Sequence, residues 1–119
     1  MAAQALGPIL YTFFEDHLRT SKGLRPASIK SYRDALRLFL QYTARDAHHR
    51  ISRLTLQDLR ADRVLGFLNS LERERQNHIR TRNQRLAALR GFFDYVGARE
   101  PEMLSEAARV AAIPTKRVA

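Results

Sequence analysis

The side chains with the most chemical potential crowd between Arg73 and Arg90. Six arginines fall there, at positions 73, 75, 80, 82, 85 and 90, with Glu72 and Glu74 as the nearby acids. Thr81, Asn83 and Gln84 are mixed among them. A guanidinium is a planar fork of donors that meets phosphate oxygens, or the acceptor edge of guanine, two bonds at a time. This group opens a helical segment, and the first turn of a helix adds free backbone amides and the positive end of its dipole. Arg and Gln side chains in such turns reach base edges in a major groove. A milder version sits earlier in the chain. Ser28, Lys30, Ser31 and Arg33 crowd the first turns of another helical segment, and Arg37 follows one turn later. The two groups predict binding to double-stranded DNA. The expected contacts are Ser28, Lys30, Ser31, Arg33 and Arg37 on one helix, and Arg80, Thr81, Arg82, Gln84 and Arg85 on the other, both presented to one duplex.

Other chemistries find little support. The chain has no cysteine, which excludes disulfides, thiolate zinc sites and cysteine nucleophiles. No glycine-rich phosphate loop, no G-x-S-x-G elbow and no H-E-x-x-H pair occurs. Glu15-Asp16-His17 sets two carboxylates beside a histidine, but sequence neighbours on a helix do not share a face, so the trio reads as solvated surface. His48 and His49 are likewise adjacent and read as a loop, not as a metal pair. No catalytic residue, metal, cofactor or small-molecule substrate is expected.

Global charge agrees with a polyanionic partner. Lys and Arg total 21 against 12 Asp and Glu, giving a formal charge of +9 and a pI near 11.0, and arginine far outnumbers lysine. A folded domain this basic usually meets nucleic acid, with a solubilising surface as the competing explanation. At 119 residues, 45% hydrophobic and 28% charged, the chain suffices for one core of ordinary size. No apolar run reaches the roughly 18 residues of a membrane span. Met1-Ala2-Ala3-Gln4 lacks the basic and apolar regions of a secretion signal. The expected location is the cytoplasm, at the nucleoid, with no membrane partner.

These residues must be positioned by helices, because between Gly7-Pro8, Gly23, Pro26, Ala61-Asp62, Gly97, Pro101 and Pro114 the apolar residues recur at helical period. A first helix is predicted over 8–21, with Ile9, Leu10, Phe13, Phe14 and Leu18 inward and Gly23 as its stop. A second spans 26–44, with Ile29, Tyr32, Leu36, Phe39 and Leu40 on one face and Lys30, Arg33, Arg37 and Gln41 on another. A short turn at 55–59 is capped by Thr55, and Asp62 caps a third helix over 63–75. The core side of this third helix is Val64, Leu65, Phe67, Leu68 and Leu71. A fourth helix covers 80–96, with Leu86, Leu89, Phe93 and Val96 inward. A last one covers 102–111, carrying Met103, Leu104, Ala107, Ala108 and Ala111. The predicted fold is all-α, a compact bundle of four to five helices. Residues 1–7 form an N-terminal tail, 8–112 the domain, and 113–119 a linker or frayed end.

Residues 24–40 carry Ser28-Ile29, Tyr32-Arg33, Leu36 and Phe39. This resembles the opening of the core-binding domain of tyrosine recombinases, the phage integrases and Xer-type recombinases. Residues 80–95 resemble its later part: Thr81, Leu86, Leu89-Arg90, Phe92-Phe93 and Tyr95 follow the pattern Thr-x-x-x-x-Leu-x-x-Leu-Arg-x-Phe-Phe-x-Tyr. Leu54-Thr55-Leu56-Gln57-Asp58-Leu59 fits the turn between them.

The resemblance implies a SAM-like helical domain that forms half of a clamp around DNA. It implies that the second and fourth helices approach the major groove, through Ser28, Lys30, Ser31 and Arg37, then Arg80, Thr81, Gln84 and Arg85. The family's chemistry uses a tyrosine nucleophile in a separate C-terminal domain. Tyr11, Tyr32, Tyr42 and Tyr95 do not match the nucleophile's motif, so this chain is expected not to cleave DNA while its parent protein is a tyrosine recombinase. Two other functions compete. One is a protein-interaction module for assembling recombinase subunits, for which Ala107, Ala108, Ala111 and Ala112 allow close packing. The other is a stand-alone DNA-binding regulator, although no compact two-helix unit with a tight Gly turn is visible.

Overall fold

The computed structural model describes residues 4–74 and 79–117, except the side chain of Glu74. Among them are five α-helices and no strand, so the fold is all-α as predicted. The chain divides into two units, meeting in sequence between Leu59 and Arg60.

The first unit opens with α1, Leu6–Thr12. It starts two residues before the predicted position. Pro8 still falls in the first turn, where an amide has no intrahelical acceptor and its absence is tolerated. The winding then loosens to i→i−5 over Phe13–Ser21. The Lys22 amide bonds the His17 carbonyl at 2.9 Å, and the Thr20 hydroxyl bonds the Glu15 carbonyl at 3.0 Å. Such winding brings Phe13 and Leu18, five residues apart, to the same inward side, and both are fully buried. The Phe13 ring lies 5.3 Å from Phe14 and 5.8 Å from Tyr32. Gly23 ends the segment at φ 60, as expected of a residue without Cβ.

Helix α2, Pro26–Ala47, has proline in its first turn behind an extended Arg25. Ile29, Leu36, Phe39 and Leu40 are buried as their spacing predicts. The helix outlasts the predicted end by three residues. His48 closes it in the left-handed conformation at φ 56, and the His49 amide reaches back to the Ala44 carbonyl at 3.0 Å. Two short 3-10 turns follow, Ile51–Arg53 and Leu56–Asp58. Thr55 opens the second, with its amide bonded to the Asp58 carboxylate at 2.9 Å. Ala5 and Thr55 form an isolated antiparallel bridge.

In the second unit α3 spans Ala61–Glu74, α4 Ile79–Arg99 and α5 Leu104–Ala111, the last preceded by a 3-10 turn at Pro101–Met103. Helix α3 begins one residue before Asp62, the expected cap. Its first amide, at Ala61, instead donates to the Glu106 carboxylate of α5 at 2.8 Å. Asp62 pairs with Arg60 at 2.8 Å. Val64, Phe67, Leu68 and Leu71 are buried, whereas Leu65 is exposed. Helix α4 is the central element of this unit: Leu86, Ala88, Leu89, Phe92, Phe93, Tyr95 and Val96 are all buried.

Gly97, read from the sequence as a break, lies inside α4. A Cβ there would sit 2.8 Å from the Ala107 Cβ, so glycine is what lets α5 approach this closely. Ala107, Val110 and Ile113 are buried on that side, while Leu104, Ala108, Ala111 and Ala112 face solvent.

Candidate nucleic-acid interface

Helix α2 sorts its side chains cleanly. At about 100° per residue, positions 30, 33, 37 and 41 share one strip, and Lys30, Arg33, Arg37 and Gln41 are all exposed. Asp34 sits beside them. Its carboxylate accepts a bond from Lys30 Nζ at 3.0 Å and lies 3.6 Å from Arg37 Nη2. The Lys30 hydrogen bond, followed by the charges of Lys30 and Arg37, holds the Asp34 carboxyl below the ordinary carboxylate range. The Arg33 guanidinium stands 5.7 Å from the centre of the Phe14 ring, a cation–π contact. Ser28 is exposed and Ser31 half-buried, but both point away from the strip by helical phase, so the structure does not gather them with the cations.

Helix α4 divides its candidates three ways. Arg80 and Gln84, one turn apart, are exposed on one strip, and no acid occupies the first turn. Thr81 and Arg85 are half-buried on the neighbouring phase, with Arg85 Nε shielded and without a hydrogen-bond partner. Arg82 is different: it is 5% exposed. Its Nη1 donates to the Pro114 carbonyl at 2.9 Å and to Asn83 Oδ1 at 3.0 Å, and its Nε is 4.0 Å from Glu72. The expectation that Arg82 faces a duplex is corrected here. It shares its helical phase with Leu86, Leu89 and Phe93, a signal already present in the spacing, and it is spent on the protein's own chain.

The same region fastens residues 113–117, read from the sequence as a linker or frayed end. Asn83 Nδ2 donates to the Lys116 carbonyl at 2.7 Å and Asn83 Oδ1 accepts the Lys116 amide at 2.9 Å. Lys116 Nζ reaches both Glu72 oxygens at 2.9 Å. The Arg90 guanidinium donates to the Ile113 carbonyl. Sequence reasoning missed these roles of Asn83, Glu72 and Lys116, because their partners are remote in the chain. Arg73 is exposed. Arg75 of the same cluster lies outside the described residues.

The other chemically suggestive groups are accounted for locally. Glu15 pairs with Arg19 at 3.2 Å, and His17 stacks on Phe13 at 5.7 Å. Tyr32 is half-buried beside Phe13, and Tyr95 is buried beneath the Arg99 guanidinium at 4.5 Å. Among the described residues, no group of three or more His, Asp or Glu is placed to hold a metal. No described helix is long and apolar enough to cross a membrane.

The described residues are thus all-helical, with Lys30, Arg33 and Arg37 exposed along α2 of the first unit and Arg80 exposed at the start of α4 in the second. The chain belongs to the family described as phage integrase, N-terminal SAM-like domain, which matches residues 12–100. Two relatives come from Sinorhizobium fredii (strain NBRC 101917 / NGR234). "Putative integrase/recombinase y4rD" is 42% identical over 112 residues, 94% of this chain and 40% of that protein. Its namesake y4rC is 36% identical over 113 residues, 95% of this chain and 34% of that protein. The chain therefore spans well under half the length of either relative. No solved structure matches it.

Proposed function

We propose that this chain is the core-binding domain of a tyrosine recombinase or integrase, and that it holds duplex DNA at the recombination site through α2 and α4. The observation that carries the reading is the sorting of cations within each helix. Lys30, Arg33 and Arg37 line one exposed strip of α2, and Arg80 opens α4 with Gln84 one turn on and no acid in that turn. In this reading residues 8–112 are the DNA-binding domain, residues 113–119 lead toward the rest of a longer protein, and strand cleavage is performed by residues outside this chain. The lengths of the two relatives support that division. The protein acts in the cytoplasm, where its DNA is.

Phosphate contacts release counterions, so log K falls with log[salt] at a slope of about −0.9 per phosphate neutralised. Fluorescence anisotropy of a labelled duplex across a salt series measures that slope. A steep negative slope is expected, and binding that ignores salt overturns the proposal. Arg85, half-buried, and Thr81 belong to the set at its margin; Arg82 leaves it.

A second reading, recombinase subunit assembly, draws on α5. Leu104, Ala108 and Ala111 lie at i, i+4 and i+7, and Leu104 is 61% exposed. Light scattering separates the two: self-association independent of DNA favours assembly.

A further inference from the structure

Within the basic strip of α2, Asp34 stands between two of its cations. The Asp34 side chain is 28% exposed, against 71% for Lys30 and 57% for Arg37, so the carboxylate is more sheltered than either cation beside it. One carboxylate oxygen takes Lys30 at 3.0 Å and the other faces Arg37 at 3.6 Å. Two of the strip's three cations are thereby answered by one anion. Arg33 is held elsewhere, over the Phe14 ring.

A phosphate that meets this strip must compete with a carboxylate already in place. Carboxylate and phosphate oxygens make the same demand on Lys and Arg: charge-assisted acceptance from the same N–H groups. The opening turn of α4 holds no acid in that role.

We propose that Asp34 is a positioning residue that restrains Lys30 and Arg37, lowering the affinity of the α2 strip for any phosphate that meets it. This rests on the DNA-binding reading above. Indiscriminate phosphate binding is the term that makes a basic protein stick to all DNA alike. A built-in anion reduces that term at every site by a similar factor, while base-edge contacts at the right site are untouched.

The test is a salt titration of this chain against a random-sequence duplex, with Asp34→Asn and Asp34→Glu beside the wild type. Asp34→Asn keeps the side chain's size and removes its charge. It is expected to bind the random duplex about 3- to 10-fold tighter at low salt, with a salt slope steeper by up to about one unit. Asp34→Glu restores the anion and is expected to return both values toward wild type. A purely structural role as a helix-surface pair would lower the thermal midpoint of Asp34→Asn and leave the slope alone. A wild type that binds with a clear salt dependence, beside an Asp34→Asn of equal or weaker affinity, overturns this inference alone. A wild type whose binding ignores salt overturns the DNA-binding reading together with it.

Discussion

The side chain of Asn83 and the backbone of Lys116 bond each other twice, with Nδ2 donating to the carbonyl at 2.7 Å and Oδ1 accepting the amide at 2.9 Å. A primary amide presents a donor and an acceptor side by side, the same pair that an adjacent backbone presents in a ladder. Asn83 thus acts as a one-residue docking rung for the end of the domain. Asn83→Asp replaces the donor with an acceptor and sets a carboxylate against the Lys116 carbonyl, whereas Asn83→Ala simply removes the rung. Amide hydrogen exchange at Lys116 should quicken in both variants and more in the alanine, which alone loses the acceptor for that amide, with amides in the middle of α4 unchanged. Exchange at Lys116 that stays slow in both would show that Glu72, Arg82 and Arg90 hold the segment without it.

Arg80 and Arg82 are two positions apart on α4 and should fail differently. Arg80 is exposed. Arg80→Ala should leave the urea midpoint near that of wild type and reduce the salt slope of duplex binding by about one unit, as loss of a phosphate contact does. Arg82 is buried and bonds the Pro114 carbonyl. Arg82→Ala takes the donor from that carbonyl and the buried guanidinium from beside Glu72, which costs about 1–3 kcal/mol of folding stability. Urea unfolding and duplex binding measured on the same two variants check the split. Equal stability in both would return Arg82 to the candidate interface.

That split also shows what was readable in the sequence. The strip of Lys30, Arg33, Arg37 and Gln41 follows from a period of 3.6 alone, and the structure keeps it. The burial of Arg82 was equally available, since it stands four, seven and eleven residues before Leu86, Leu89 and Phe93. Its charge points Arg82 to the surface and its phase points it inward, and in the structure phase prevails. The misplaced start of α3 is of another kind. Its first amide is capped by Glu106, 45 residues away, and no local pattern reports such a partner. Residues 113–117 looked like a frayed end for the same reason, since proline and isolated charges read as loop when their acceptors lie on a distant helix.

Acid should weaken the surface pairs in a predictable direction. Lys30, with Arg37 behind it, holds the Asp34 carboxyl below its ordinary range, and the Arg60 hydrogen bond does the same for Asp62. A carboxyl whose folded value lies below its unfolded value of about 3.9 contributes stability above that pH, and the contribution is lost as pH falls through the folded value. Wild-type stability should therefore drop as the pH is lowered below about 4. The Asp34→Asn/Asp62→Asn double variant should drop less over the same interval. Both pairs are well exposed, so the difference is small and needs urea midpoints instead of single melts. Identical acid profiles for the two proteins would remove these pairs from the account.

Gly97 offers a test of packing that is independent of charge. In the interior of an exposed helix, Gly→Ala stabilises by about 1 kcal/mol, because alanine restricts the unfolded chain and favours helix. At position 97 the new methyl would meet the Ala107 Cβ at 2.8 Å, with the Leu104 Cα and the Met103 carbonyl oxygen each at 3.7 Å. None of these is the free end of a flexible side chain, so α5 must shift to make room. Overpacking of this kind costs about 1–3 kcal/mol, which cancels or exceeds the helix gain. Gly97→Ala should therefore be no more stable than wild type, and most variants of this scale should lose stability. Ala107→Gly removes the opposing methyl, so placing it in the Gly97→Ala background should cost less than placing it in wild type. Urea midpoints of the four proteins in this cycle give the coupling directly. Additive effects would mean that α5 is not held against α4 at this point, and that glycine is present there for some reason other than the approach of Ala107.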